Sequence, residues 1–499
     1  MKKISLFILV ILTSFLLVGC KKDINYSDIY ENDVYYTLFV RSFADSNGDG
    51  IGDLNGVTEN LDYFEELGVT GIWMLPIFET APGFHNNHGY ATVDYLKINA
   101  DYGTMEDLDN LLNEANKRNI NIILDLVINH TSDQHKWFLE AKKGTDNSYR
   151  NYYHFSSGGS AYSAFPGGMV DLNLNNNDVK NEIFNIVDFY LDKGVHGFRV
   201  DAVKHFFEGP KVGSDTAFML ELNMHVKDKN PDGFVVGEVF DYDYDIVSKY
   251  YLSQASYFNF YVQKEIQSKV GEGSRTNNLS TSLERIYNNY RNIKHDFLDA
   301  PFLGNHDMDR IASTRGYMYS VERRKMAVNI LLTLPGSPFI YYGDELDMKG
   351  YRYEGAVIGG NTVYDEYRRQ PFIWGNDYQT TWLPSDGSND DTKSYIEQKD
   401  NENSMFNHYK EMINLRKSIP ALMYGNDFHA YEMEERNVQA YVRYINDDNL
   451  TAAVLVIHNI SDIEYELDFE LNYLYGSKNL QPFSTAVLEI PFDELEAYI

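Results

Sequence analysis

The chain is 499 residues long, 43% hydrophobic and 23% charged, with 40 tyrosines, 29 phenylalanines and a formal net charge of −31. That length exceeds what one hydrophobic core serves, so more than one domain is expected. The excess of acid excludes a nucleic-acid partner, whose phosphates need a basic face, and gives no attraction to an anionic membrane surface.

At the N-terminus, Lys2 and Lys3 precede an apolar run over 4–18 that ends in Leu17-Val18-Gly19-Cys20. The pattern is that of a secretion signal. Its end resembles a bacterial lipobox, which implies that Cys20, the sole cysteine, becomes the lipidated first residue of the mature protein. The expected division is a signal peptide over 1–20 and a polar tether over 21–27. The protein is then lipid-anchored in a membrane through Cys20, on the outer side of the bacterial cytoplasmic membrane or at the cell surface. A lone cysteine leaves no thiol for a disulfide, and no other apolar run reaches the about 20 residues that span a bilayer.

Beyond the tether, strand-like runs at 34–43, 70–75, 120–126, 195–201, 234–238, 256–260, 299–303 and 337–342 alternate with helical apolar spacing over 54–67, 105–118, 178–193, 215–229 and 320–334. This alternation predicts an α/β fold with a parallel sheet and crossover helices. After the first strand, Asp45-Ser46-Asn47-Gly48-Asp49-Gly50-Ile51-Gly52-Asp53 spaces oxygen ligands at alternate positions, with glycines for a sharp turn. A hard cation such as calcium requires that spacing. The loop begins like an EF-hand, yet its twelfth position is Gly56 rather than Glu and a strand precedes it. The stretch 131–175, rich in Tyr, Ser, Gly and Asn, is a long excursion after the third strand, where such loops form a catalytic rim. A last helix over 403–417 stops at Ile419-Pro420. From 423 onward, runs such as Gln439-Ala440-Tyr441-Val442-Arg443-Tyr444 alternate as in an antiparallel β-sandwich.

Three carboxylates stand at the C-terminal ends of separate strand-like runs: Asp201 after Gly197-Phe198-Arg199-Val200, Glu238 after Phe234-Val235-Val236-Gly237, and Asp307 after Phe302-Leu303-Gly304-Asn305-His306. Buried strands deliver such last residues to the rim of a β/α barrel. Arg199 lies on the same strand face as Asp201, and His306 adjoins Asp307, so both acids are expected to ionise readily. Glu238 has only Val and Gly before it, and its pKa is expected to rise. Carboxyls whose environments push their pKa values apart suit glycoside hydrolysis.

These runs occur in order with Gly68-Val69-Thr70-Gly71-Ile72-Trp73-Met74-Leu75-Pro76, His88-Gly89-Tyr90, Asp125-Leu126-Val127-Ile128-Asn129-His130, Met169-Val170-Asp171-Leu172-Asn173 and Gly336-Ser337-Pro338-Phe339-Ile340-Tyr341-Tyr342-Gly343-Asp344-Glu345. From about Asp33 to the C-terminus the chain thereby resembles the α-amylase family, glycoside hydrolase family 13. The resemblance implies a (β/α)8 TIM barrel over 28–130 and 176–422, a short domain B over 131–175, and a C-terminal antiparallel β-sandwich over 423–499. It implies Asp201 as nucleophile, Glu238 as acid/base and Asp307 as the third carboxylate that binds sugar hydroxyls. His130 and His306 are expected to donate hydrogen bonds to the same sugar, with Tyr90 stacked beneath it and Arg199 behind. Lys204 and His205 fall on the leaving-group side, and Asp365 and Arg369 bind the next sugar outward. For calcium, the resemblance adds the Ile51 carbonyl to Asp45, Asn47, Asp49 and Asp53, and implies a second site joining Asn129, Asp171 and the His205 carbonyl.

Val170 departs from the family's usual Pro before Asp171. Ala202 and the Lys204-His205 pair look like α-amylases, whereas the Asp45 to Asp53 loop is common among oligo-1,6-glucosidases. The mixture resembles the intermediary group between them. The expected activity is retaining hydrolysis of internal α-1,4-glucosidic bonds in starch and maltooligosaccharides by a monomer. The alternatives are a 4-α-glucanotransferase or maltose-converting enzyme, an α-glucosidase or neopullulanase-like activity, and a surface glycan-binding lipoprotein.

Overall fold

The computed structural model describes residues 32–207, 209, 211–272 and 278–499. The signal peptide, the tether and Cys20 lie outside the described residues. Eight parallel strands form the barrel: β1 (Tyr35–Leu38), β2 (Gly71–Met74), β3 (Asn121–Leu126), β4 (Gly197–Val200), β5 (Phe234–Gly237), β6 (Ser256–Phe258), β7 (Asp299–Ala300) and β8 (Phe339–Tyr341). All eight fall within the runs expected from the sequence. They are ordered β7-β6-β5-β4-β3-β2-β1-β8, and a parallel bridge from Phe302 to Phe339 brings the two ends together. β7 is short because Pro301 follows it and has no amide hydrogen for the ladder. Its carbonyl still accepts the Phe339 amide at 2.9 Å.

Much of the aromatic load fills the barrel interior. Tyr35 stacks between Phe234 and Phe339 at 5.0 and 4.8 Å, and above them Trp73, Phe258 and Phe339 pack edge to face or tilted. Close-packed rings leave little room for rotamer change, so the strand ends above them are held rigidly.

The outer helices follow the periodicity read from the sequence. Met105–Lys117 buries Leu108, Leu111, Leu112 and Ala115 on one face and starts at a capping box between Thr104 and Asp107, which satisfies two otherwise orphan amides. The single helix expected over 54–67 is two, Leu54–Glu59 and Leu61–Leu67, broken at Asn60. The end of the first expected strand is instead a helical turn, Val40–Phe43.

In the 131–175 excursion, His130–Ser132 pairs antiparallel with Met169–Asp171, putting His130 opposite Asp171. At the C-terminus, β9 (Asp427–Tyr431), β10 (Val438–Asn446), β11 (Thr451–Asn459), β12 (Asn472–Tyr475) and β13 (Thr485–Glu489) form an antiparallel sheet in the order β9-β10-β11-β13-β12. The second layer of the expected sandwich is reduced to the pair Tyr465–Glu466 and Asn479–Leu480, with Leu467 and Leu480 buried against the sheet. Two buried arginines meet the C-terminal end of helix Val321–Thr333: Arg416 from the barrel's last helix, Met405–Ser418, and Arg443 from β10, which ties the sheet to the barrel. Arg416 donates to the carbonyls of Leu332 and Leu334 at 3.0 and 2.7 Å, and Arg443 donates to those of Thr333 and Gly425. Cations on these free carbonyls also complement the helix dipole.

Candidate active site

The parallel ladder continues one residue past β4 and β5. The Asp201 amide donates to Leu126 O at 3.1 Å and the Glu238 amide to Val200 O at 2.9 Å. Both acids are thereby fixed by sheet geometry before any side chain is considered. Gly237 precedes Glu238 because a Cβ there would lie 2.5 Å from the Tyr257 ring of β6. Ala202, after Asp201, has φ +49°, a left-handed conformation that costs energy in a non-glycine residue. This turn aims the Ala202 amide at Glu238 Oε2, 3.3 Å away.

Arg199 sits beneath, 1% exposed, and its guanidinium joins three carboxyl groups. Nη1 donates to Asp125 at 2.8 and 3.0 Å and to Asp201 at 2.8 Å, while Nη2 donates to Glu238 at 2.8 Å. The expectation that Glu238 lacks a cationic neighbour is therefore corrected: the planar fork of arginine reaches a residue on the adjacent strand as well as one on its own. Asp125 was not among the expected site residues. It is the register partner of Arg199 across β3 and β4, a relation that strand pairing decides.

One cation cannot offset three buried negative charges. Burial raises Asp125 to about 7 against the pull of Arg199. Burial also raises Asp201 and Glu238, Arg199 opposing it in both cases and Asp307 reinforcing it. Asp307 differs. Desolvation in the pocket works against its charge, although its side chain is half exposed, and His306 and Arg369 outweigh that and hold this carboxyl well below the usual range. The cluster thus pushes Asp307 down and the carboxyls around Arg199 up, the separation of pKa values that paired acid and base chemistry uses.

Around the acids lies a pocket of about 450 Å³. Tyr90 forms its floor, stacked on His306 at 5.4 Å, its hydroxyl donating to Asp125 Oδ2 at 2.9 Å and lying 2.8 Å from His306 Nε2. His306 Nε2 is also 3.0 Å from Asp307 Oδ2. His130 lines the pocket with both ring nitrogens engaged, Nε2 with Tyr90 O at 3.1 Å and Nδ1 with Asn129 at 3.2 Å. His88, given no role from the sequence although it opens the His88-Gly89-Tyr90 motif, also lines it. Its Nδ1 accepts the Tyr90 amide at 2.9 Å, and burial holds the ring neutral, with its pKa down to about 3.

On one side of the pocket are Lys204, His205 and Phe240, with Lys204 paired to Asp241 at 2.7 Å. On another are Asp365 and Arg369. Arg369 donates to Asp307 Oδ1 at 2.9 Å and to His306 O at 3.2 Å, so it braces the third carboxylate. Arg368 holds Asp365 at 2.8 Å and the Asp307 carbonyl at 2.7 Å. Phe165, from the 131–175 excursion, packs over His130 and His205 at 5.4 and 5.0 Å. Every sugar-contacting residue expected from the sequence is in the pocket wall or bonded to it. Phe165, Phe240 and Arg368 were missed because nothing in their local pattern separates them from core aromatics or surface charge.

Two places have the oxygen chemistry of a cation site. In the 45–53 loop, Asp45 and Asp53 are 6% and 4% exposed, and their bonds come from backbone amides and Ser46 rather than from a basic group. Buried carboxylates without a cation are costly. Among the described residues, no group of three or more His, Cys, Asp or Glu side chains is arranged to hold a metal ion, so a metal here would draw on the side-chain oxygen of Asn47 and the carbonyl of Ile51 as well, ligands that suit calcium. At the second place, Asn129 Oδ1 is buried and unpartnered, and burial raises neighbouring Asp171 to about 6.

The family profile for the α-amylase catalytic domain matches residues 37–425. "Alpha-amylase 3" of Dictyoglomus thermophilum is 36% identical, over 93% of this chain and 94% of that protein. An "Oligo-1,6-glucosidase" of Bacillus cereus is 30% identical, over 89% and 93%. Among solved structures, an α-amylase from H. orenii superposes with a TM-score of 0.80 at 32% identity, covering 92% of this chain and all of the other.

Proposed function

We propose, from the premise that the chain belongs to the α-amylase family, glycoside hydrolase family 13, that it is a retaining α-amylase acting on internal α-1,4 bonds of starch and maltooligosaccharides. The observation that carries the reading is the shared guanidinium: two rim carboxyls bonded to the two terminal nitrogens of Arg199 are close neighbours. That favours the retaining separation of about 5–5.5 Å over the wider inverting one.

In this reading Glu238 gives its proton to the glycosidic oxygen as Asp201 attacks C1, and the C1–O bond breaks to leave a glycosyl ester on Asp201. Glu238, now ionised, takes a proton from water, whose oxygen displaces Asp201 from C1. Asp307, anionic and braced by Arg369, accepts hydrogen bonds from the sugar's hydroxyls and favours the positively charged transition state. Tyr90 presents a ring face to the sugar. His88 Nε2, its other nitrogen being occupied, is placed to donate to a hydroxyl. Lys204, His205 and Phe240 border the leaving group.

The test is the product time course from maltoheptaose. Mixed short maltooligosaccharides, released first as α-anomers, are expected; products longer than the substrate would make the enzyme a transferase. A second reading, cleavage of α-1,6 bonds, draws on the similarity to the B. cereus oligo-1,6-glucosidase, and efficient hydrolysis of isomaltose in the same assay would favour it over the first.

We also propose calcium at both oxygen-rich places, through Asp45, Asn47, Asp49, Ile51 O and Asp53, and through Asn129, Asp171 and the His205 carbonyl. The cation would neutralise buried carboxylates and join the 131–175 excursion to the barrel. A chelator is expected to lower the thermal midpoint. Asp49 is exposed, and among the described residues its carboxylate accepts only the Ile51 amide, at 2.8 Å, so Asp49→Ala is expected to leave the chelated midpoint in place and to diminish the rise on adding calcium. An undiminished rise would remove Asp49 from the ligand set.

A further inference from the structure

On the flank of the barrel, helix Tyr244–Tyr250 and helix Leu279–Ile293 enclose a polar groove of about 460 Å³. The wall supplied by the second helix is unusual in its chemistry. Thr281, Arg285, Asn288 and Asn292 recur at intervals of four, three and four, so they form one exposed stripe. Asn289 flanks it, donating to Asp245 at 2.7 Å while its own Oδ1 is buried and unpartnered. Asparagine is a weak helix former. Asn289 is accounted for by its bond to Asp245, whereas Asn288 and Asn292 stand exposed where core packing does not select them, and side-chain amides are groups that pair with vicinal hydroxyls.

The opposite wall presents one ring, Tyr244, beside Asp245. Tyr244 packs edge to face with Tyr261 at 5.0 Å, and the Arg285 guanidinium lies 5.6 Å from its ring centroid. Tyr244 is also the third member of an alternating series, Phe240, Tyr242, Tyr244. Phe240 is 55% exposed and lines the catalytic pocket, and Tyr242 is 37% exposed and packs 5.6 Å from it. Four residues span at most about 14 Å, so Tyr244, which lines the groove, lies within that distance of Phe240, which lines the catalytic pocket.

We propose that the groove is a second glucan-binding site, and that Phe240 and Tyr242 form a track along which an α-glucan chain leaving the catalytic pocket reaches it. Rings stack on the apolar faces of successive glucose units and the amides take their hydroxyls. A neutral polyol is the ligand class that fits: the carboxylates of Asp245 and Glu284 facing Arg285 in the groove leave no net positive field for an anion. The identity of the glucan rests on the α-glucan reading above.

The test compares full-length protein carrying Asp201→Asn, which leaves the polysaccharide intact, with the same protein also carrying Asn288→Ala and Asn292→Ala, by electrophoresis in gels containing amylopectin. The added pair is expected to weaken amylopectin retardation about fivefold or more. In the active background the same pair should leave kcat/KM on maltotriose within about twofold. Because alanine is the better helix former, the thermal midpoint should stay level or rise, which separates a lost ligand contact from a damaged fold. Unchanged retardation, or no retardation of the parent, overturns the proposal. Failure of the wild-type enzyme to hydrolyse maltoheptaose would instead overturn the proposed activity, and the gel comparison would still report on the groove.

Discussion

Asp201→Asn is expected to abolish turnover to the extent of about 10⁴-fold or more in kcat, as removal of a covalent nucleophile does. The substitution is nearly isosteric. The amide can still accept from Arg199 Nη1, now 2.8 Å from Asp201 Oδ1, so the pocket should hold its shape and maltooligosaccharide should still bind. What is lost is the oxygen that attacks C1. Sodium azide tests the assignment further. With Asp201 unable to bond to carbon, azide can enter only from the vacated face, opposite the leaving group, and the expected product from an activated α-glucoside is the inverted β-glycosyl azide. An α-glycosyl azide, or a kcat within tenfold of wild type, would place the nucleophile elsewhere.

Glu238→Gln is expected to reduce kcat on maltoheptaose by about 10²- to 10⁴-fold, the range that general acid catalysis supplies. The loss should depend on the leaving group. An aryl α-glucoside departs without protonation, so its glycosylation step should be nearly spared, and azide, which needs no general base, should then capture the ester on Asp201 as the α-glycosyl azide. The pH profile gives a second reading. Burial, reinforced by Asp201 and Asp307, raises Glu238, so the acid keeps its proton to higher pH than a free glutamate, and wild-type kcat/KM should fall as pH rises through that raised value. The alkaline limb should vanish in Glu238→Gln with aryl substrates. A limb that persists unchanged would assign it to another group of the cluster, with Asp125 the first to substitute.

Asp201 and Glu238 were legible because each ends a short apolar run, and Asp307 because it follows one closely; such runs in alternation with helices can form few things other than a parallel barrel. The same logic found all eight strands. It overran at 40–43, where the chain turns into a helical turn, and at 54–67, where Asn60 divides one apolar period into two helices. Local pattern carries apolar periodicity but not the dihedral angles of one residue. Glu238 shows a deeper limit. Its sequence neighbours, Val236 and Gly237, suggest an unpaired acid, yet Arg199 reaches it from the adjacent strand.

What the sequence by itself determined is the order of elements, the barrel and the strand-end positions of Asp201 and Glu238, because burial and periodicity act over a few neighbouring residues and are written in them, whereas Asp307 lies in a turn seven residues beyond β7. The tertiary structure alone decided which charges meet. Asp125 shares Arg199 with both catalytic candidates, Arg369 braces Asp307 while Arg368 holds Asp365, and asparagines of an outer helix line one groove with Tyr244. Electrostatic and hydrogen-bonding partners are set by distances across strands and loops far apart in the chain, and those distances exist only once the barrel has closed.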